Sequence, residues 1–556
     1  METIPPELWS RIFWFATDHR ASSYDTRQSP WLPSQVCPKW RDISLSSPVL
    51  WSTIVISRAT IYRDKAHQHI SALERCISTL LTRSRKHPLR IQLALGRMEH
   101  YLVELARILI KLLWPHSARW HSFSLDQYGD RGGWAKVWME GSMHLKRLPI
   151  LDTLSLSLFP FCMCSADTKA IGAVYSLFRN CPMLTSLSIR GFPNYEAVNG
   201  MALRHPPWEN MRKVAIFAFE PPPNVFNHIP GILSRLKNVT LLRLITDTLP
   251  TRVVASHSVQ LSFPNLIGFD LDAPNLTTPL ADFVAPSLEA LRLAGSFIVH
   301  DLTGFVVRSQ CRIQHLYIEE LSDDDFADIL PELPALRVLS IEQASFGACT
   351  QIVQQLGQTR TLIDEGGDRS KPLCPELAAL SLSLAHRETV SPGDEDSLAP
   401  YLVLPEAIAN LLEVRWPRHR ESATGTKACR PSPTPLLNFV TSGVDVRRVA
   451  GGDSVLERIR KAAEGTKKAS KEIDERGDGE DVAESGEIQW WVNVDIAFDR
   501  DSDWGGVDTA LWPDLWWEPF KPELPPDSAI SRLAKLAAED DVGSSTALDF
   551  MPKILA

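Results

Sequence analysis

The side chains able to do chemistry in this 556-residue chain are dispersed, and their spacing suits recognition better than catalysis. Arg243, Asp270, Arg292 and Tyr317 stand out, because each occupies the same place between two apolar residues of a recurrent frame. Guanidinium, carboxylate and phenol groups in a row can exchange charge-assisted hydrogen bonds with a polypeptide, and arginine and tyrosine are enriched among residues that dominate binding. A second column of the frame holds Ser157, Arg190, Phe217, Ile245, Asp272, Ala294, Glu319, Glu342 and Ser383. Mixed charge of this kind fits a protein or peptide better than a phosphate backbone. Ordinary solvated strand residues are the alternative for the whole row. The sequence holds no phosphate-cradling glycine loop, nucleophile elbow or metal-ligand helix. Cys162 and Cys164 lack a second pair or histidine cluster at zinc spacing, and His67 with His69 reads as a polar helix face. The acidic run from Glu319 to Asp325 lacks the alternating ligands and glycine of a calcium loop and reads as the capped start of a helix near Phe326. No cofactor or metal is expected, and an enzyme would need a Ser/His/Asp or paired-carboxylate site assembled across repeats.

The frame is Leu-x-x-Leu-x-Leu, in nine copies beginning at Leu151, Leu184, Met211, Val239, Leu266, Leu288, Ile313, Leu336 and Leu377. Intervals of 33, 27, 28, 27, 22, 25, 23 and 41 residues give each copy room for one short strand and a returning helix or loop. In six copies a proline stands two residues before the first apolar position: Pro149, Pro182, Pro264, Pro286, Pro334 and Pro375. Its fixed φ ends a helix and announces a strand. Alternation then follows, as in Leu187-Ser188-Ile189 and Leu291-Arg292-Leu293, sending one set of side chains inward and the other out. The outward positions are Ser155, Ser188, Ala215, Arg243, Asp270, Arg292, Tyr317, Ser340 and Ser381. Two looser copies, Trp120/Phe123/Leu125 and Pro88/Ile91/Leu93, extend the array backwards.

Helical spacing recurs at Ile171, Val174 and Phe178, at Ile70, Leu73, Ile77, Leu80 and Leu81, and at Leu102, Leu105, Leu109 and Leu112 before Pro115. The fold class predicted is α/β. It is a leucine-rich-repeat solenoid with parallel strands on a concave face and helices and loops on a convex one, behind a short helical module. The asparagine of the best-known leucine-rich pattern is replaced in every copy, so no asparagine ladder is available and an irregular horseshoe is expected. Such apolar spacings also arise by chance in α/β proteins; nine ordered copies with shared punctuation weigh against chance.

Composition bounds the rest. With 44% hydrophobic and 22% charged residues the chain can bury a sizeable core. No apolar run is long enough to span a membrane, and Met-Glu-Thr-Ile-Pro-Pro-Glu lacks the basic start and apolar stretch of a signal peptide. Nine cysteines, an odd number, fit a reducing compartment where they act as small buried hydrophobes. A cytoplasmic or nuclear address is expected, with no membrane partner. The net charge of −9 argues against a nucleic-acid partner.

The first 56 residues carry a second pattern. Ile4-Pro5-Pro6-Glu7-Leu8 opens a helix with proline pre-set for its first turn, and Leu8, Ile12, Phe13 and Phe15 form an apolar stripe. After a polar gap come Val36-Cys37-Pro38-Lys39-Trp40-Arg41, then Ser47-Pro48-Val49-Leu50-Trp51 and the β-prone Ser52-Thr53-Ile54-Val55-Ile56. This ordered set resembles an F-box. The gap from Thr17 to Pro33 is longer than in a minimal F-box and is similar to the fungal F-box-like variety ending in a block such as Ser34-Gln35-Val36-Cys37. The resemblance implies a helical module that docks on the Skp adaptor, and through it a cullin, of a ubiquitin ligase, leaving the repeats to choose a protein substrate. Carried over by position, Ile4, Pro5, Leu8, Ile12, Val36, Cys37 and Trp40 are the adaptor-facing or module-core set, closed by Pro48, Leu50 and Trp51. Internal packing is the alternative for each of these, and Trp40 is more core-like than Leu8 or Pro5. A free-standing repeat scaffold with a degenerate F-box is the alternative for the chain.

The domains expected are therefore the module at 1–56, the solenoid at 57–450, a charged segment at 451–487 that is too polar to fold alone, and a Trp-rich tail at 488–556. Trp490, Trp491, Trp504, Trp512, Trp516 and Trp517 suggest a tail that folds back to cap the solenoid, with a docking role as the alternative.

Overall fold

Prolines that punctuate the copies do so by building tight turns. A computed structural model describes residues 4–16, 23, 30–57, 66–97, 100–128, 148–159, 181–190, 207–218, 229–246, 261–297, 299–321, 324–357, 359–364, 367–374, 377, 379–384 and 407. The chain divides into two units at Val507, and every described residue belongs to the first. Pro149, Pro182, Pro264, Pro286 and Pro334 each take the second place of a four-residue turn. The N–H of the first apolar residue closes it, Leu151 onto the Leu148 carbonyl, Leu184 onto Cys181, Leu266 onto Phe263, Leu288 onto Ala285 and Leu336 onto Leu333. Proline's φ is pre-set for that place. Met211 closes the same turn onto Trp208 with Glu209 there instead.

From each turn the chain runs extended. Twelve strands result: β1 Thr53–Ser57, β2 Leu89–Arg97, β3 Trp120–Tyr128, β4 Thr153–Phe159, β5 Ser186–Arg190, β6 Lys213–Ala218, β7 Leu241–Thr246, β8 Gly268–Asn275, β9 Ala290–Ser296, β10 His315–Leu321, β11 Val338–Ala344 and β12 Ala379–Leu384. They form one sheet in chain order, and every pairing is parallel. The molecule is thus a mixed α/β protein built on a long parallel sheet, with the sequential order that stacked repeats produce. A parallel pair needs a crossover. α4 Ala66–Arg83 and α5 His100–Leu113 supply the first two, and later ones use α6 Ile229–Leu233, α7 Thr277–Asp282, α8 Val299–Ser309 and α9 Phe346–Gly357. The 41-residue interval is filled by α9 and an antiparallel hairpin of Thr359–Asp364 with Gly367–Pro372.

All three apolar positions of all nine copies are buried. The middle position stays in register from Ile54 through Ile91, Phe123, Leu154, Leu187, Val214, Leu242, Phe269, Leu291, Leu316 and Leu339 to Leu380. These residues share one core with Leu73 and Ile77 of α4, Leu105 and Leu109 of α5, Phe305 of α8 and Ile352 of α9. Burying each such side chain contributes about 1.5–3 kcal/mol. The thiols follow the same logic: burial pushes those of Cys181 and Cys349 up to about 12, so they pack as apolar groups.

Hydrogen bonds tie copy to copy beyond the strands. One residue after the first apolar position, backbone N–H groups of Asp152, Thr185, Arg212, Thr240, Ile267, Glu289, Gln314 and Arg337 each donate to the carbonyl at the matching position of the preceding copy, at 2.7–2.9 Å. A short side-chain ladder lies alongside: Asn238 Nδ2 donates to the Glu209 carbonyl, Asn265 Nδ2 to Lys237 and Ser287 Oγ to Pro264. An asparagine–serine ladder therefore exists. It precedes the first apolar residue, whereas the expectation that no ladder is available rested on the position three residues beyond the last one.

The amino-terminal segment is helical: α1 Pro6–Phe15, α2 Pro33–Val36 and α3 Pro38–Ser46, followed by a 3-10 turn at Pro48–Trp51. Its core stacks Trp9, Phe13 and Trp40, with ring centroids 5.0–5.7 Å apart. Trp51 is fully buried and donates Nε1 to the Ser44 carbonyl at 2.7 Å. The sheet begins at β1, inside the stretch assigned to this module, so the two share a strand. Within the long gap, Ser23 seals the outer edge of β1. Its N–H donates to the Val55 carbonyl at 2.9 Å, and its Oγ accepts from the Val55 N–H at 2.8 Å. Trp31 Nε1 holds the Ser23 carbonyl at 2.9 Å, and the Arg83 guanidinium covers the Trp51 ring at 4.3 Å. The helix expected around residues 171–178 and the whole carboxy-terminal third beyond residue 407 lie outside the described residues.

Removing the Ser23 hydroxyl leaves the buried Val55 N–H without its acceptor, which costs about 1–3 kcal/mol. Ser23→Ala should therefore lower the urea midpoint with an unchanged slope, and an unchanged midpoint would show that the edge is sealed by other means.

Candidate functional site

Parallel strands about 4.8 Å apart set equivalent residues shoulder to shoulder. On the face opposite the apolar ladder, Ser188, Ala215, Arg243, Asp270, Arg292, Tyr317, Ser340 and Ser381 form one row in register, on β5 to β12. The four residues singled out from sequence are thus consecutive neighbours.

They are also bonded. Asp270, 2% exposed, lies between two guanidiniums: Arg243 Nε is 2.8 Å from Oδ2, and Arg292 Nη1 donates to Oδ1 at 3.1 Å. The first contact is an ion pair with its N–H off axis; the second is a hydrogen bond. Arg292 Nη2 reaches on to Glu319 Oε2 at 3.1 Å, and its guanidinium lies 5.0 Å from the Tyr317 ring centroid. Tyr317 in turn hydrogen-bonds Glu342. Buried carboxylates persist only when paired, and Asp270 is paired twice. Its carboxylate is occupied by the protein itself, so its part in any binding is to hold the two arginines in place.

Burial and charge act against each other along the row. Burial alone would lower the Arg292 guanidinium, yet Asp270, Tyr317 and Glu319 together raise it. Burial lowers Arg243, with Asp270 opposing and Arg292 and Arg190 adding to the fall. Burial raises the Tyr317 phenol, helped by its hydrogen bond to Glu342 and that group's charge. Glu319 is raised by burial against the pull of Arg292, with Asp272, Glu342 and Asp270 pushing the same way as burial.

Further members come from the second column and were not singled out from sequence. Phe217 sits under two guanidiniums, Arg190 at 4.3 Å and Arg243 at 5.3 Å from its ring centroid. Glu319 ends the ion-pair chain with 38% of its side chain exposed. Their signal was present in the strand frame, because they lie two residues beyond the first row and so on the same face. Among the described residues no group of three His, Cys, Asp or Glu side chains is placed to hold a metal ion, and no helix is long and apolar enough to cross a membrane.

The amino-terminal segment offers a second surface. α1 carries two apolar stripes: Trp9 and Phe13 face Trp40, while Leu8, Ile12 and Phe15 point outward at 48%, 45% and 76% exposure. Val36 of α2 and Leu32 before it are exposed as well. Of the expected adaptor set, Pro5, Leu8, Ile12 and Val36 are therefore accessible, and Ile4, Cys37, Trp40 and Pro48 are half-buried. Leu50 and Trp51 need correcting. At 4% and 0% exposure they lie in the core, where the 3-10 turn folds them against the sheet, and they cannot touch a partner.

No family model matches the chain, and no curated protein matches it. Among solved structures, a crystal structure of a Bacteroides fragilis protein is similar at 13% identity and a TM-score of 0.21, over 37% of this chain and 63% of that one. The match spans less than two thirds of that protein, and so slight a likeness has no bearing on fold or function.

Neutralising Asp270 would leave the largely buried Arg243 without its carboxylate and Arg292 with Glu319 alone. Asp270→Asn should cost about 3–5 kcal/mol in urea unfolding at neutral pH, and a loss below about 1 kcal/mol would mean that solvent screens the row. Elsewhere on this face, burial lowers the His315 imidazole, and the Arg337 charge lowers it further. The folded state thus prefers the neutral ring. That stability is complete above the unfolded value of 6.5 and is lost as pH falls from there through the lower folded value. The parent chain should therefore lose more melting temperature than His315→Gln between about pH 7.5 and pH 5.5; parallel curves would exclude His315 as the source.

Proposed function

We propose that this chain is the substrate-recognition subunit of an SCF-type ubiquitin ligase, an F-box protein with irregular leucine-rich repeats. It is a receptor and performs no catalysis itself, working in the cytoplasm or nucleus. The observation that carries the reading is the two-faced first helix. One apolar stripe of α1 is used on its own module, and the other, Leu8, Ile12 and Phe15, is left with large aliphatic and aromatic groups in water. Apolar side chains at i, i+4 and i+7 on one helix face suit a partner groove, and the stripe has the character of a docking surface for an Skp-type adaptor; Leu32 and Val36 of the same helical segment are exposed as well. The ordered motif from Ile4 to Trp51 points to the same partner. On the sheet, the charged and aromatic row around Arg243, Asp270, Arg292 and Tyr317 would hold the protein substrate, and the cullin would be reached through the adaptor.

Co-expression with an Skp-type adaptor should yield a complex that survives purification. Leu8→Ala with Ile12→Ala should weaken adaptor retention by about tenfold or more, while the melting temperature stays near that of the parent because both side chains are exposed. A parent chain that recruits no adaptor, or retention untouched by the double substitution, would favour a repeat scaffold without ligase function.

A further inference from the structure

Charge is sorted along the row, and this deepens the receptor reading, on which it rests. At one end Arg190 of β5 and Arg243 of β7 flank Phe217 of β6. Arg243 is committed to Asp270, whereas the contact of Arg190 among the described residues is the Phe217 ring. In the middle Asp270 and Arg292 offset each other. At the other end stand Glu319 of β10 and Glu342 of β11, with Asp272 of β8 nearer the middle. Asp272 and Glu342 both repel the Glu319 charge. The face is therefore a dipole laid across the strands, with half-buried Arg190 and more exposed Glu319 accessible near its two ends.

We propose that this face binds an extended segment of the partner protein bearing one acidic side chain and, about six residues away, one basic side chain, the acid on Arg190 and Arg243 and the base on Glu319 and Glu342. The separation follows from the sheet. Phe217 and Glu319 are four strand steps apart, about 19 Å at 4.8 Å per step, and an extended peptide advances about 3.3 Å per residue. A nucleic acid is disfavoured, because four carboxylates here oppose three guanidiniums and phosphates would meet net repulsion. A peptide of matching dipole gains at both ends, since its acid gives Arg190 a counter-charge and its base relieves the crowded carboxylates.

The test uses the full chain and labelled 12-residue peptides of serine and alanine around a central leucine, followed by fluorescence anisotropy. The probe with Glu and Lys six residues apart should bind about tenfold tighter than the same peptide with Gln at both places, and tighter than one with the charges three apart. Arg190→Glu should abolish that preference and favour the probe in which Lys replaces Glu, with Glu319→Gln as a second variant that weakens discrimination at the other end. Equal affinity for charged and uncharged probes, no binding by the folded chain, or preferences untouched by both substitutions would overturn the proposal. Adaptor co-purification from the same preparations separates the two readings. Adaptor retention without peptide discrimination overturns the partner class alone, and discrimination without adaptor retention supports this surface while removing the ligase.

Discussion

The stacking of one apolar side chain per strand at a common height, from Ile54 to Leu380, is the constraint on which the rest depends. Each copy is too small to bury its own inner face, so it is stable only against its neighbours. Once that ladder fixes the register, everything on the opposite face is fixed too, because a slip of one residue would exchange the faces. The proline turns and the backbone hydrogen bonds from Asp152 to Arg337 reinforce the same alignment from the strand entrances.

That alignment explains why charged residues can sit on a nearly buried row at all. Asp270 alone would be an expensive buried carboxylate, but the register places an arginine on each neighbouring strand at the same level. The network is consequently a product of the whole sheet. Its members also differ in what they do. Asp270 and Phe217 organise guanidiniums from beneath, while Arg190, Arg292, Tyr317 and Glu319 keep part of their side chains exposed.

Much of this was legible in the amino acids, and the reasons for the rest are physical. Period-two alternation is a local signal, so strand positions, core residues and the Arg243–Tyr317 row could be read directly. The spacing of Leu73, Ile77 and Leu80 and of Leu105 and Leu109 likewise identified α4 and α5. Contacts between distant residues leave no such trace. Nothing near Ser23 announces a bond to Val55, and the Asn238–Asn265–Ser287 ladder appears only once the turns are stacked. Leu50 and Trp51 resembled docking residues because a motif records which residues occur, without recording which way they point. Depth of burial at Asp270 was equally invisible, since it depends on the length of its neighbours' side chains.

Because β1 belongs to both the helical segment and the sheet, the path from α1 to the charged row is paved with whole strands. Seven strand steps separate β1 from β8, about 34 Å along the sheet. The chain therefore measures length in integers: inserting or deleting one repeat would move the row by a single fixed increment relative to the first helices, a ruler whose graduations are set by the hydrogen bond.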